Sequence, residues 1–209
     1  MKALSPHHLY SSLFEDGRFL VVDKPSGLLT IPGRDLNEPS LIEILRKERP
    51  ELLVVHRIDR ETSGCVLFAK NPDAHREANR WFEKHDIKKE YLALVVGELR
   101  LPVMRIDTPI ENQKALTQVS VIEKFKNTSF LRVRIQTGRR HQIRIHLSQQ
   151  GHAILGDVRY KGPKTTPDGL EIKRVALHAE SLQFPGGVKI MAPIPADFEN
   201  WLTHLRASS

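Results

Sequence analysis

The hydrophobic and polar positions of this chain fall into short blocks whose period changes repeatedly. Arg18 to Lys24 (RFLVVDK) is a near-continuous apolar run of strand length closed by the Pro25-Ser26-Gly27 turn, and it predicts a buried strand. Asn37 to Pro50 carries Leu41, Ile44, Leu45 and Glu48 at helical spacing, with Pro50 as the stop. Leu53 to His56 and Gly64 to Lys70 are short β-rich runs on either side of the polar stretch Arg57 to Ser63. A helix then opens with Asn71 as N-cap, Pro72 at the first position and Asp73 beside the positive end of the dipole. Its inward stripe is Ala74, Ala78, Trp81 and Phe82, and Arg76, Arg80 and Lys84 lie outward.

Lys89 to Gly97, Gln118 to Phe125 and Phe130 to Gln136 alternate or run apolar as strands do. Thr137-Gly138 breaks the pattern, and Arg139 to Gln150 returns to helical spacing through Ile143 and Leu147. Lys161 to Lys173 is polar and rich in Gly, Pro and Lys, which predicts a surface loop. Val175 to Phe184 and Val188 to Met191 read as late strands, and Pro195 to Leu205 as a closing helix on Phe198, Trp201, Leu202 and Leu205. No repeat of 20–50 residues is visible. Strands dominate and helices intervene irregularly, which favours a mixed α+β class over a doubly wound sheet.

Composition narrows this picture. A chain of 209 residues predicts one domain spanning 1–209, with a core that needs no disulfide or metal staple. Lys and Arg number 32 against 25 Asp and Glu, a net charge of +7, with a pI near 9.6. A disordered chain, a disulfide miniprotein and a membrane span are disfavoured, and a polyanionic partner is favoured. Cys65 is the single cysteine, so no intrachain disulfide can form and a reducing compartment is the simpler expectation. The first residues, MKALSPHHLYSSLFEDG, hold no apolar stretch suited to a secretory signal, and a soluble, cytoplasmic protein is expected.

The segment His56-Arg57-Ile58-Asp59-Arg60-Glu61-Thr62-Ser63-Gly64 sets a carboxylate between two guanidiniums, inside a polar stretch bounded by hydrophobic strands. Nearby cations favour an ionised carboxylate, and Thr62, Ser63 and Gly64 supply hydroxyls and a tight turn. On residue type alone, the simpler reading of the segment is an exposed Arg–Asp–Arg turn, worth about 0–1 kcal/mol per surface pair.

HRIDRETSG closely resembles the HRLDxxTSG motif of the RluA-type pseudouridine synthases. Four further blocks carry the same resemblance in the same order. VVDKPSGLLTIPGR (Val21 to Arg34) is similar to the family's amino-terminal strand and turn, and KKEYLALVVG (Lys88 to Gly97) to the motif bearing its active-site tyrosine. IQTGRRHQIRIHLSQQGHAILGD (Ile135 to Asp157) resembles the third block and RVALHAESLQF (Arg174 to Phe184) the fourth. The resemblance implies a mixed, mainly antiparallel sheet flanked by helices and loops, with a catalytic cleft in the middle of the sheet. It also implies an enzyme that isomerises uridines of RNA to pseudouridine without cofactor or metal.

Carried over residue by residue, the resemblance makes Asp59 the catalytic carboxylate. It would attack the flipped-out nucleotide at the ribose anomeric carbon or at carbon 6 of the ring, or assist formation of a glycal. Tyr91 would stack on the target uracil, and its hydroxyl would need strong tuning to act as a base. Arg144 would pair with the catalytic carboxylate, a task a forked guanidinium does better than a lysine. Arg57 would fill the gap left by the flipped base, recovering part of a cost of a few kcal/mol. His56, Arg60, Arg139, Arg140 and His141 are the further RNA-contact candidates. RNA is the expected partner, with no membrane and no obligatory protein partner, and the chain is expected to act as a monomer.

Three rival readings fit less well. An RNA-binding module without chemistry leaves Asp59 unexplained, and with 6% aromatic residues, most of them in apolar stripes, it lacks exposed stacking groups. A phosphotransferase is disfavoured because Ile58 separates Arg57 from Asp59 and no glycine-rich phosphate loop or DFG is present. A histidine metal site at His141 and His146, or His7 and His8, matches no standard zinc spacing. The chain also departs from the family pattern: Ile58 stands for the usual leucine, Cys65 for a small aliphatic, and Leu101 to Gln118 is short. About 17 residues precede the first strand, too few for the S4-type domain many relatives carry. The short form and KPSGLLTIPGR most resemble the synthase A subgroup, which modifies a tRNA anticodon stem-loop and a 23S rRNA helix; the synthase C subgroup is next.

Overall fold

The computed structural model describes residues 10–35, 37–166 and 168–208. The chain forms two compact units, Met1–Ile87 with Ala179–Pro193, and Lys88–His178 with Ile194–Ser209. Among the described residues are ten strands and four α-helices. No helix among them is long and apolar enough to cross a membrane. His7 and His8 lie outside the described residues.

The first unit is built on β1 (Ser11–Glu15), β2 (Phe19–Lys24) and β4 (Ser63–Ala69), joined antiparallel in that order. β3 (Leu53–Val54) also pairs with β4, and β10 (Lys189–Met191) pairs with β9 (Leu177–Gln183), both antiparallel. The continuous apolar runs of β2 and β4 follow from burial on both faces, since every residue of β4 is buried. One face packs Val21, Cys65 and Leu67 against Ala74 and Ala78 of α2 (Pro72–Glu83). Asn71 caps α2 as the sequence predicts, its side-chain oxygen accepting the Ala74 N–H at 2.9 Å.

α1 (Leu41–Arg46) is shorter than the predicted Asn37–Pro50 helix. Pro39 disfavours helical backbone just before it, and the helix starts only after Ser40, whose N–H and hydroxyl both donate to Glu43 (3.0 and 2.7 Å). β1 was not predicted. It is polar and half-exposed, so it carries no clear alternation.

The second unit holds four antiparallel strands in the order β5 (Lys88–Val96), β8 (Thr128–Ile135), β7 (Thr117–Phe125), β6 (Val103–Ile106), so that β6 to β8 are consecutive neighbours and β5 lies beside β8. β6 escaped the sequence reading for the same reason as β1: it is a short, exposed edge strand. α3 (Gln142–Gln149) buries Ile143 and Leu147, and α4 (Ala196–Ala207) buries Phe198, Trp201, Leu202 and Leu205, with Phe198 tilted on Phe130 at 5.9 Å. α3 starts three residues later than predicted because His141 adopts left-handed backbone, φ 55°. The buried Gln142 side chain organises that bend: it accepts from the Thr137 hydroxyl (2.7 Å) and the Arg139 N–H (3.1 Å), and donates to the Leu116 carbonyl (3.0 Å) and Thr117 hydroxyl (2.9 Å).

Candidate active site

Asp59 lies on the loop between β3 and β4, half-buried, between exposed Arg57 and Arg60 and beside the buried Ile58. Segment 24–30 holds this loop from both sides. Upstream of Asp59, the Thr30 hydroxyl donates to the Ile58 carbonyl (2.9 Å) and accepts the Ile58 N–H (3.3 Å). Downstream, the Lys24 ammonium and the Gly27 N–H both donate to the Arg60 carbonyl (3.1 and 2.8 Å), and the Ser26 hydroxyl donates to the Glu61 carbonyl (2.6 Å). The Thr62 N–H closes a turn onto the carbonyl of Asp59 itself at 3.1 Å.

Lys24 is the unexpected member of this group. A lysine before Pro-Ser-Gly reads as a surface residue, yet it is 0% exposed. Its ammonium also donates to the carbonyls of Pro25 (2.8 Å) and Leu28 (2.7 Å), so the charge is solvated by backbone rather than water. The loop then enters β4 through Gly64, φ +111°. A Cβ there would sit 2.8 Å from the backbone nitrogen of Ala179 and closer still to its carbonyl oxygen, so only glycine admits this approach.

The other predicted residues of this unit divide by environment. Arg57 is exposed. Arg60 donates to the Gly27 carbonyl (3.1 Å) and pairs with Glu38 (2.8 Å), and so helps to brace the loop. His56 lies flat on Phe82, ring centroids 4.8 Å apart, and its Nε2 accepts the Leu67 N–H at 2.9 Å, which puts the neutral ring's proton on Nδ1. Cys65, next to Gly64, is fully buried, and burial pushes its thiol up to about 12. It has the character of packing, not of a nucleophile.

In the second unit Tyr91 is buried on β5, opposite Val133. Strand alternation puts Lys89 on the same face, and burial pushes its ammonium down to about 8. Lys89 was not singled out from the sequence, although a lysine two residues before a strand tyrosine is a readable signal. Arg139 and Arg140 are exposed on the turn before α3, with the Arg139 guanidinium donating to the Lys114 carbonyl at 3.1 Å. His146, half of the disfavoured His141–His146 metal pair, is wholly buried between the Thr117 hydroxyl and the Thr108 carbonyl, each at 2.9 Å. That is a structural role.

Arg144 is buried on α3 and is gripped by Asp157, Nε to Oδ2 at 2.7 Å and Nη2 to Oδ1 at 2.8 Å. Its guanidinium carbon lies 5.2 Å from the centre of the Tyr160 ring, whose hydroxyl meets His141 Nδ1 at 2.8 Å. The structure thus brings Arg144 and His141 together through Tyr160. Asp157 closes one of the blocks that resemble the family, and Tyr160 lies three residues beyond it, with no local pattern that marks either as a partner of Arg144.

Residues 18–149 match the model of the family described as RNA pseudouridylate synthase. The chain belongs to that family. It is 33% identical to a ribosomal large subunit pseudouridine synthase D of Xanthomonas campestris, over 94% of this chain and 70% of the relative. It is equally 33% identical to the dual-specificity RNA pseudouridine synthase RluA of Salmonella typhi, over 89% of this chain and 93% of that one. Among solved structures, the human RNA pseudouridylate synthase domain containing 4 superposes with a TM-score of 0.83 at 23% identity, covering 94% of this chain and 93% of its own. The human RNA pseudouridylate synthase domain containing 1 gives 0.74 at 26% identity, covering 99% and 98%. The α+β, mainly antiparallel architecture is therefore the pseudouridine synthase fold. Family membership makes the chain an RNA pseudouridine synthase, an isomerase whose substrate is RNA.

Proposed function

We propose that this pseudouridine synthase isomerises specific uridines in a tRNA or 23S rRNA stem-loop, as a cytoplasmic monomer, with Asp59 as its catalytic carboxylate. The observation that carries this reading is the double-sided hydrogen bonding of the Asp59 loop: both neighbouring residues have their backbone groups bound by segment 24–30. A reacting group held in one orientation before substrate arrives avoids reorganisation at the transition state.

In the reaction the bond from ribose carbon 1′ to uracil N1 breaks and a bond from carbon 1′ to carbon 5 forms. The carbon 5 proton is lost and N1 gains one. Asp59 assists glycosidic cleavage, Tyr91 stacks on the extruded uracil, and Arg144 supports the carboxylate. Arg57 fills the vacated stack, while Arg139 and Arg140, both exposed, meet phosphates. His56, Arg60 and His141 contribute chiefly by bracing, given the intramolecular partners described above. The relative named a ribosomal large subunit synthase supports a large-subunit ribosomal target, and the dual-specificity relative, matched over nearly its whole length, supports more than one RNA target.

The test is release of tritium from uracil carbon 5 of labelled tRNA and rRNA lacking the modification. Wild type should release label to water and Asp59→Asn should not, while RNA binding survives. Normal turnover by Asp59→Asn refutes the assignment. Mapping pseudouridines with and without the gene then identifies the site.

A further inference from the structure

The structure assigns to Asp157 a role in the reaction as a positioning residue that acts through Arg144, with Tyr160 as its second support. This rests on the proposed role of Arg144. The physical starting point is that Arg144 and Asp157 form an ion pair with side chains only 5% and 1% exposed. A buried pair is weak evidence for stability, because desolvation of both charges offsets their attraction. What such a pair does supply is direction. Two parallel N–H···O bonds fix the rotation of the guanidinium in its plane.

The remaining freedom is tilt, and Tyr160 limits it, its ring lying 5.2 Å from the Arg144 guanidinium carbon. Tyr160 is itself stapled to both ends of α3. His141 Nδ1 meets its hydroxyl at 2.8 Å, and the Ser148 hydroxyl donates to its carbonyl at 2.8 Å. The Asp157 backbone is equally constrained. Its carbonyl accepts from the N–H groups of Tyr160 (3.0 Å) and Gly162 (2.8 Å), and its N–H donates to Ile154 (3.1 Å). Gly156, φ +80°, lets the chain pass so close to Arg174 that a Cβ would lie 2.6 Å from its carbonyl carbon. The fork engages Nε and Nη2, so the N–H groups of Nη1 stay outside it with their direction set. Because Asp157 balances the charge, Arg144 can stay buried and oriented before RNA binds.

Asp157→Asn tests this, since it keeps the shape but sets an amide NH₂ or a single neutral acceptor against the guanidinium. The expected result in single-turnover assays is a rate about 10- to 100-fold slower, with the RNA dissociation constant within about threefold of wild type. The double variant Arg144→Ala/Asp157→Asn should be no more than about twofold slower than Arg144→Ala alone, because one function is removed once. If Asp157→Asn does not fold, Tyr160→Leu leaves the ion pair in place and should slow the rate several-fold at unchanged affinity. A wild-type rate in Asp157→Asn, multiplicative losses in the double variant, or a wild-type rate in Tyr160→Leu when Asp157→Asn does not fold, overturns the inference. A wild-type rate in Arg144→Ala sinks the assigned role of Arg144, and the inference with it. A slow Arg144→Ala beside a fast Asp157→Asn removes only the role of Asp157.

Discussion

Replacing Lys24 by methionine measures how far the catalytic loop depends on one buried ammonium. Methionine fills a similar volume, so no large cavity opens. What is lost includes the charge-assisted hydrogen bonds to the carbonyls of Pro25, Leu28 and Arg60. The Arg60 carbonyl keeps the Gly27 N–H at 2.8 Å. Pro25 is exposed and Leu28 half-buried, so their carbonyls recover part of the lost bonding from water. An unsatisfied buried acceptor costs about 1–3 kcal/mol, and with that partial recovery at both carbonyls Lys24→Met should destabilise the protein by about 1–3 kcal/mol in all. In urea, with a slope of about 2 kcal/mol/M, the unfolding midpoint should fall by about 0.5–1.5 M. The rate should suffer separately, because Arg60 adjoins Asp59 along the chain. At a urea-free temperature where the variant is folded, turnover should drop about tenfold or more at nearly unchanged RNA affinity. A midpoint shift under about 0.5 M together with wild-type turnover would refute the reasoning and make Lys24 a bystander.

Gly64→Ala places a Cβ against the Ala179 backbone at φ +111°, and relief requires strand displacement; it should cost more than about 3 kcal/mol, and a melting temperature within 2 °C of wild type would contradict this. Lys89 yields a pH signature. Its ammonium is pushed down to about 8 from an ordinary 10.5, so between those values the unfolded chain holds the proton that the folded chain has released. Stability contributed by this group therefore rises with pH across that window, by up to about 3 kcal/mol at 1.36 kcal/mol per pH unit. The difference in unfolding free energy between wild type and Lys89→Met should accordingly shift in favour of wild type from pH 7.5 to 10; a constant difference would show that Lys89 is not desolvated.

Local pattern was enough for the elements whose residues answer to a single face or a single cap. The apolar runs of β2, β4 and β5 and the Asn71-Pro72 start of α2 are legible because burial and capping act over a few residues. The strands β1 and β6 were not, because an exposed edge imposes little alternation. His141 interrupts the helical spacing that begins at Arg139, because the Gln142 side chain finds partners at Leu116 and Thr117, 26 and 25 residues away.

The same division runs through the site. Asp59 and its flanking arginines form one continuous segment, and family membership follows from such segments taken in order. Which groups hold that segment was decided only in three dimensions. Lys24 becomes a buried clamp because the chain returns, 36 residues later, to present the Arg60 carbonyl to it. Arg144 gains its orientation from Asp157, 13 residues on, through a turn that Gly156 permits. A lysine or aspartate in isolation reads as solvated surface, because in water that is its favoured state. Only a fold that supplies the replacement hydrogen bonds can make burial of that charge tolerable, and those bonds are written in no local pattern.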